Sequence, residues 1–296
     1  MPDALFYGSG TALITPFAGG EVDYGAWRRL IEFQLEGGTD ALIVLGSTGE
    51  APTVTYEERQ RLASMALGIA KGRVPVIISA GSNCTRMAEE LAVNARELGA
   101  DGVLLSAPYY NRPSPPGIRE HFFRVADAAG IPVIAYNIPG RTGVNIAPEL
   151  MAQLARHPLI RGLKEASTDA NHISRMMGAL ADGIAIYSGN DSQTLNIMAQ
   201  GGRGVISVAG NIIPREMSAL THAMLREDLE SARKAYGRMS GLIDALSLET
   251  NPGPIKYAMS VRGMCEETMR LPLYPVTETT RERVRAALNS TCDNNC

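Results

Sequence analysis

The sequence predicts one α/β fold: eight strand–helix units closed into a (β/α)8 barrel, followed by three further helices. Three observations predict it. Eight short apolar runs alternate with longer segments of helical period, and together they span roughly 225 residues, the length and order such a barrel requires. Several of the runs are almost continuously apolar, as strands covered on both faces should be. The first run leads into Thr15-Pro16-Phe17, not into the glycine-rich phosphate turn of a doubly wound sheet, which would also need fewer strands. This is the TIM-barrel architecture. We assign residues 1–227 to the barrel and 228–296 to a helical extension packed on it.

The elements follow in order. Strands are expected at 11–14, 41–45, 76–79, 102–106, 133–136, 160–164, 184–188 and 204–207, each a short run rich in Val, Ile, Leu or Ala. Between them, 23–36 carries Trp27, Leu30, Ile31 and Leu35 on one periodic face, and 56–70 and 85–98 behave similarly. Asp23, Thr55, Thr85 and Asp191 stand where N-caps belong. After Pro214 the sequence offers no further strand. The extension reads as helices over 229–248, 254–262 and 277–288, with Asn251-Pro252-Gly253-Pro254 separating the first two.

Composition excludes several classes. An apolar fraction of 45% and a charged fraction of 20% are ordinary for a globular protein. A net charge of −3 leaves no basic footprint for nucleic acid. No apolar run reaches the ~18 residues a membrane span needs. The start, Met1-Pro2-Asp3-Ala4-Leu5-Phe6-Tyr7-Gly8, lacks a basic region followed by an apolar one, so a cytoplasmic protein is expected. Cys84, Cys265, Cys292 and Cys296 form no Cys-x-x-Cys pair, and His121, His157, His172 and His222 have no metal-ligand spacing. The tail that carries Cys292 and Cys296 reads as a frayed terminus.

The chain holds only four lysines: Lys71, Lys164, Lys234 and Lys256. Lys71 follows a helix, where a cation suits the negative end of the dipole, and Lys234 and Lys256 fall in helical segments. Lys164 alone emerges from a strand. Burying it costs roughly 4 kcal/mol if its pKa falls by about 3 units. A structural ion pair explains such a residue, and so does Schiff-base formation with a carbonyl substrate.

In this barrel the active site lies at the C-terminal strand ends. Gly46-Ser47-Thr48-Gly49-Glu50 offers hydroxyl and backbone donors for a carboxylate or phosphate, though it also suits a plain capping turn. Ala107-Pro108-Tyr109-Tyr110-Asn111 reads equally as an interface patch. Tyr136-Asn137-Ile138-Pro139-Gly140-Arg141 supplies a phenol for proton relay and an arginine for a carboxylate. Gly189 and Asp191 follow the seventh strand. Taken together these residues equip an amine-catalysed carbon–carbon bond step on a 2-oxo acid, with the protonated imine as electron sink and no metal required.

These motifs resemble those of the dihydrodipicolinate synthase family, within the pyruvate-dependent class I aldolase superfamily that includes N-acetylneuraminate lyase. Gly-Ser-Thr-Gly-Glu, Tyr-Asn-Ile-Pro and Gly-Leu-Lys-Glu-Ala-Ser come in the family's order and spacing, and the likeness runs from Gly10-Thr11-Ala12 to the helical tail. The resemblance implies condensation of pyruvate with aspartate 4-semialdehyde, on the route to diaminopimelate and lysine, with no cofactor beyond the covalent adduct. It implies that Lys164 forms the imine and that Thr48 and the Gly49 backbone hold the pyruvate carboxylate. Tyr136 would be the general acid/base, linked through Ser47 to Tyr110 of a neighbouring subunit. Arg141 would bind the semialdehyde carboxylate, Ile206 would line the pyruvate pocket, and Gly189 and Asp191 would sit at its rim. A homodimer or a homotetramer of tight dimers is expected.

Two departures bear on this. The synthase usually has Thr-Thr where Ser47-Thr48 stands, and Ser-Thr is common in the sialic acid lyase branch. Arg141 and Glu165-Ala166, both normally absent from that branch, point back to the synthase. At the positions matching the family's lysine-feedback site stand Tyr56, Arg59, Asn83 and Met87. Histidines are missing there, Met87 cannot pair with an ammonium, and Arg59 adds like charge, so weak or absent lysine inhibition is expected. The alternatives are another pyruvate aldolase, acting on N-acetylneuraminate or a 2-keto-3-deoxy sugar acid, and a non-catalytic small-molecule-binding barrel.

Overall fold

A computed structural model describes residues 4–180 and 183–292. Eight parallel strands close in sequential order: β1 (Gly8–Ala12), β2 (Ala41–Val44), β3 (Val76–Ser79), β4 (Gly102–Ser106), β5 (Val133–Asn137), β6 (Ile160–Glu165), β7 (Ala185–Ser188) and β8 (Gly204–Ser207). Helices alternate with them: α1 (Tyr24–Glu36), α2 (Tyr56–Ala70), α3 (Thr85–Leu98), α4 (Pro115–Ala129), α5 (Pro148–Leu154), α6 (Ala170–Leu180), α7 (Thr194–Ala199) and α8 (Pro214–Leu225). The extension follows as α9 (Leu229–Ala245), α10 (Gly253–Val261) and α11 (Glu278–Cys292).

The alternation of side chains along each strand builds two apolar layers. Leu42 and Val44 face outward into the shell between strands and helices. Ile43 between them faces the barrel interior, with Ile77, Leu104, Ile134, Tyr187 and Ile206. Phe6 stacks on the Tyr187 ring at 4.3 Å, and the Tyr187 hydroxyl donates to the Phe6 carbonyl at 2.8 Å. The outer core runs without a break into Leu242, Ile243 and Ile255 of the extension. The extension is therefore bonded to the barrel by shared apolar burial.

Four expectations need correction. The first strand is Gly8–Ala12, not 11–14. Its glycines hide it from an apolar pattern, yet side chains there would clash: a Cβ on Gly8 would lie 2.2 Å from the Asp40 carboxylate and one on Gly10 2.8 Å from Ile43 Cδ1. The N-cap of α3 is Cys84, because the extended backbone that a cap needs falls there, while the Thr85 hydroxyl lies 3.0 Å from His121 Nδ1. Asp191 is not a cap either. Asn190 takes that place before a single 3₁₀ turn, and Asp191 Oδ2 accepts the Val208 and Ala209 N–H groups at 3.1 and 2.9 Å. The extension helices differ in extent: the first stops at Ala245 rather than 248, and the last runs Glu278–Cys292, past the expected end at 288 and into the stretch read as frayed. Asp23 and Thr55 do cap, Thr55 in a reciprocal capping box with Glu58. The start Met1-Pro2-Asp3 and the tail cysteine Cys296 lie outside the described residues.

Candidate active site

Register places Tyr136 beside Lys164. Tyr136 on β5 pairs with Lys164 on β6, which pairs with Tyr187 on β7. Leu163 points into the outer core, so Lys164 points inward by strand alternation. Its ammonium nitrogen lies 4.3 Å from the Tyr136 ring centroid. Lys164 is buried, 5% exposed. Loss of water is the main cause that brings its pKa down to about 7; the Asp191 carboxylate opposes the fall and Arg141 adds to it. A substantial fraction of the amine is therefore free near neutral pH. Burial pushes the Tyr136 phenol the other way, well above its ordinary value, against a smaller lowering by Arg141. It stays protonated and can donate.

The pair opens onto a cavity of about 850 Å³ at the C-terminal strand ends, with Ser47, Thr48, Arg141, Gly189 and Asp191 in its wall. Thr48 is buried. The Gly49 N–H is engaged with the Gly46 carbonyl at 3.1 Å. Among the described residues the Ser47 and Thr48 N–H groups make no bond within the protein, which leaves donors on this turn for an anion. Across the cavity Arg141 sits on the single helical turn Pro139–Thr142, exposed, with Nη2 donating to the Asn251 carbonyl at 2.8 Å. Gly189 meets β6 closely, since a Cβ there would lie 2.6 Å from Ala166 Cβ. Among the described residues no cluster of three or more His, Cys, Asp or Glu has the disposition to hold a metal, and no helix is long and apolar enough to cross a membrane.

Residues 5–291 match the model of the dihydrodipicolinate synthetase family. The chain belongs to that family. It is 44% identical to the 4-hydroxy-tetrahydrodipicolinate synthase of Syntrophus aciditrophicus, covering 97% of this chain and 98% of that one. The crystal structure of dihydrodipicolinate synthase from Thermotoga maritima superposes with a TM-score of 0.95 at 41% identity, over 97% of this chain and 99% of that chain. A family structure from Cyanidioschyzon merolae, with lysine bound, matches with a TM-score of 0.93 at 38% identity, over 98% and 99% of the two chains.

The remaining expected site residues divide. Ile206 is buried in the interior layer of the barrel. Tyr110 is 87% exposed, held at φ 70° with its N–H donating to the Thr142 carbonyl, while its neighbour Tyr109 reaches the cavity wall. Among the described residues no hydrogen bond joins Ser47 to Tyr136 or to Tyr110 within the chain. Sequence reasoning missed Asn251, which it read only as part of a helix break. Its Nδ2 donates to Thr48 Oγ1 at 2.9 Å while its carbonyl takes Arg141. One residue of the extension thus touches both the Thr48 turn and Arg141. Lys164 is also not the only buried lysine, because Lys256 on α10 is wholly buried beside Glu50. Behind β6, Glu165 accepts from Asn137 and the Ser167 N–H, and burial raises its pKa.

Proposed function

We propose that this chain condenses pyruvate with L-aspartate 4-semialdehyde to 4-hydroxy-tetrahydrodipicolinate through a Schiff base on Lys164. The observation that carries the reading is a buried amine with its pKa near 7, beside a protonated phenol, in a cavity with carboxylate donors on two sides. The names of the relatives at 44% identity support it.

The chemistry follows from these groups. The free Lys164 amine attacks the keto carbon of pyruvate, and loss of water leaves a protonated imine. The Thr48 turn holds the pyruvate carboxylate. Tyr136 donates a proton to the departing hydroxyl and, as its phenolate, takes one from the methyl carbon to give the enamine. The enamine carbon bonds to the aldehyde carbon of the semialdehyde, whose carboxylate Arg141 grips; the aldehyde oxygen takes the proton held on Tyr136 and becomes the hydroxyl, while the nitrogen lone pair re-forms the imine. The semialdehyde's own amine then displaces Lys164 from the imine carbon, which closes the ring and frees the enzyme. No metal or prosthetic group takes part. Ser47 links Tyr136 to Tyr110 of a second subunit in a homodimer or homotetramer, which accounts for the exposure of Tyr110 in the single chain. Ile206 floors the pyruvate pocket, and Gly189 and Asp191 form its rim. The enzyme works in the cytoplasm, with 1–227 as the catalytic barrel and 228–296 as its packed extension.

A steady-state comparison tests the substrate. Pyruvate with aspartate 4-semialdehyde should turn over, and Arg141→Ala should cut semialdehyde use by ~100-fold, the worth of one charge-assisted contact. Release of pyruvate from N-acetylneuraminate or a 2-keto-3-deoxy sugar acid, without condensation, would move the chain to another aldolase class.

A further inference from the structure

The Gly46–Glu50 turn is bracketed by two non-glycine residues in the left-handed region, Leu45 at φ 60° and Glu50 at φ 52°. Such backbone persists only where its surroundings impose it. At the Glu50 end the surroundings are ionic. The Glu50 carboxylate has no solvent exposure and pairs with the equally buried Lys256 ammonium of α10. Its other oxygen accepts the Arg270 N–H at 3.1 Å. Lys256 donates in turn to the Thr268 carbonyl at 2.8 Å and lies 4.2 Å over the Phe17 ring. The Arg270 guanidinium grips Glu58 of α2 through two bonds of 2.6 Å and the Thr53 carbonyl at 2.8 Å. Glu50 is thus the point where α2, α10 and the segment after α10 are tied to the turn.

A buried ion pair is a poor device for stability alone, because desolvation offsets most of its attraction. Its geometry explains its presence better. Asn251, five residues before Lys256, bonds Thr48 Oγ1 at 2.9 Å. The Thr15 hydroxyl bonds the Gly49 carbonyl at 2.7 Å. With Glu50 anchored, the turn is held at Thr48, Gly49 and Glu50, and Ser47 and Thr48, whose N–H groups are left unbonded among the described residues, line the cavity.

We propose that Glu50 and Lys256 are positioning residues: their buried pair fixes the Thr48 turn against the C-terminal extension, so that the turn is already shaped for the carboxylate of the keto acid. The proposal rests on the reading of that turn as the pyruvate carboxylate seat. It assigns a second buried lysine, remote from the imine, to substrate binding.

The test separates positioning from stability. Glu50→Gln with Lys256→Met removes both charges together, so no uncompensated ion remains and the melting temperature should return close to that of the unsubstituted protein. Its KM for pyruvate should nonetheless rise at least tenfold, with the KM for the second substrate changing less than about twofold. Glu50→Asp keeps the charge but withdraws it by one methylene, and it should raise the pyruvate KM in a stably folded protein. Wild-type pyruvate KM in Glu50→Asp, or in a double variant with restored melting temperature, overturns the proposal. Borohydride trapping of pyruvate on the unsubstituted protein runs alongside. If that trapping fails, the functional reading falls and the proposal falls with it. If trapping succeeds while the variants keep wild-type pyruvate KM, the proposal falls alone.

Discussion

At the scale of the residue, Lys164 is set between two opposing charges. Burial takes its pKa down to about 7, with Asp191 holding it up and Arg141 pressing it down. The amine must be unprotonated to attack a carbonyl. Activity on pyruvate should therefore rise with pH through about 7 and level off above it, because the inactive ammonium dominates below that pKa. Asp191→Asn removes the group that favours the ammonium, so the acid limb of kcat/KM should move to lower pH. Arg141→Ala removes a group that opposes it, so the limb should move to higher pH. Opposite displacements of the two pH–rate profiles check the assignment, and shifts of the same sign would refute it. The burial of Lys164 was legible in the sequence because it falls at the end of an apolar strand. Lys256 was not, since its helical surroundings give no sign that α10 packs inward against Glu50.

At the scale of the element, the strands were readable because covering on both faces demands continuous apolar residues. Seven of the eight fall within a residue or so of their expected bounds, and the exception, β1, is concealed by glycines whose Cβ atoms would run into Asp40 and Ile43. Caps were readable only where the side chain bonds its own helix. Thr85 was misplaced because its hydroxyl turns to His121, a contact across elements that local pattern cannot encode. Asn251 was illegible as a site residue for the same reason, since its partners lie 203 and 110 positions away. The junction of β6 and β7 offers a direct probe. Gly189→Ala would place a methyl 2.6 Å from Ala166 Cβ, two residues beyond Lys164. Overpacking of this kind costs about 1–3 kcal/mol. A melting temperature lowered by several degrees, with kcat reduced more than KM, is the expected outcome; an unchanged melting temperature would show that the strands can part freely there.

At the scale of the whole molecule, the fold brings the Lys164 amine to the mouth of a closed barrel and roofs it with the extension, while Tyr110 is left exposed. Weak or absent lysine inhibition is predicted from Tyr56, Arg59 and Met87. Arg59 is buried with its guanidinium on the Ser79 carbonyl, and Tyr56 and Met87 are exposed. A titration with L-lysine should leave the rate within about 20% at 1 mM, where even one good charge-assisted contact would be felt; half-inhibition at micromolar lysine would contradict this. The barrel was legible from strand count and order, and the chemistry from residues at strand ends. The coupling of the extension to the site was not, because it depends on tertiary contacts alone. The central claim is that Lys164 forms an imine with pyruvate. Incubation with pyruvate and borohydride, followed by peptide mass spectrometry, should find the reduced adduct on Lys164 and none on Lys71, Lys234 or Lys256. An adduct on any other side chain, or no adduct, would contradict the account.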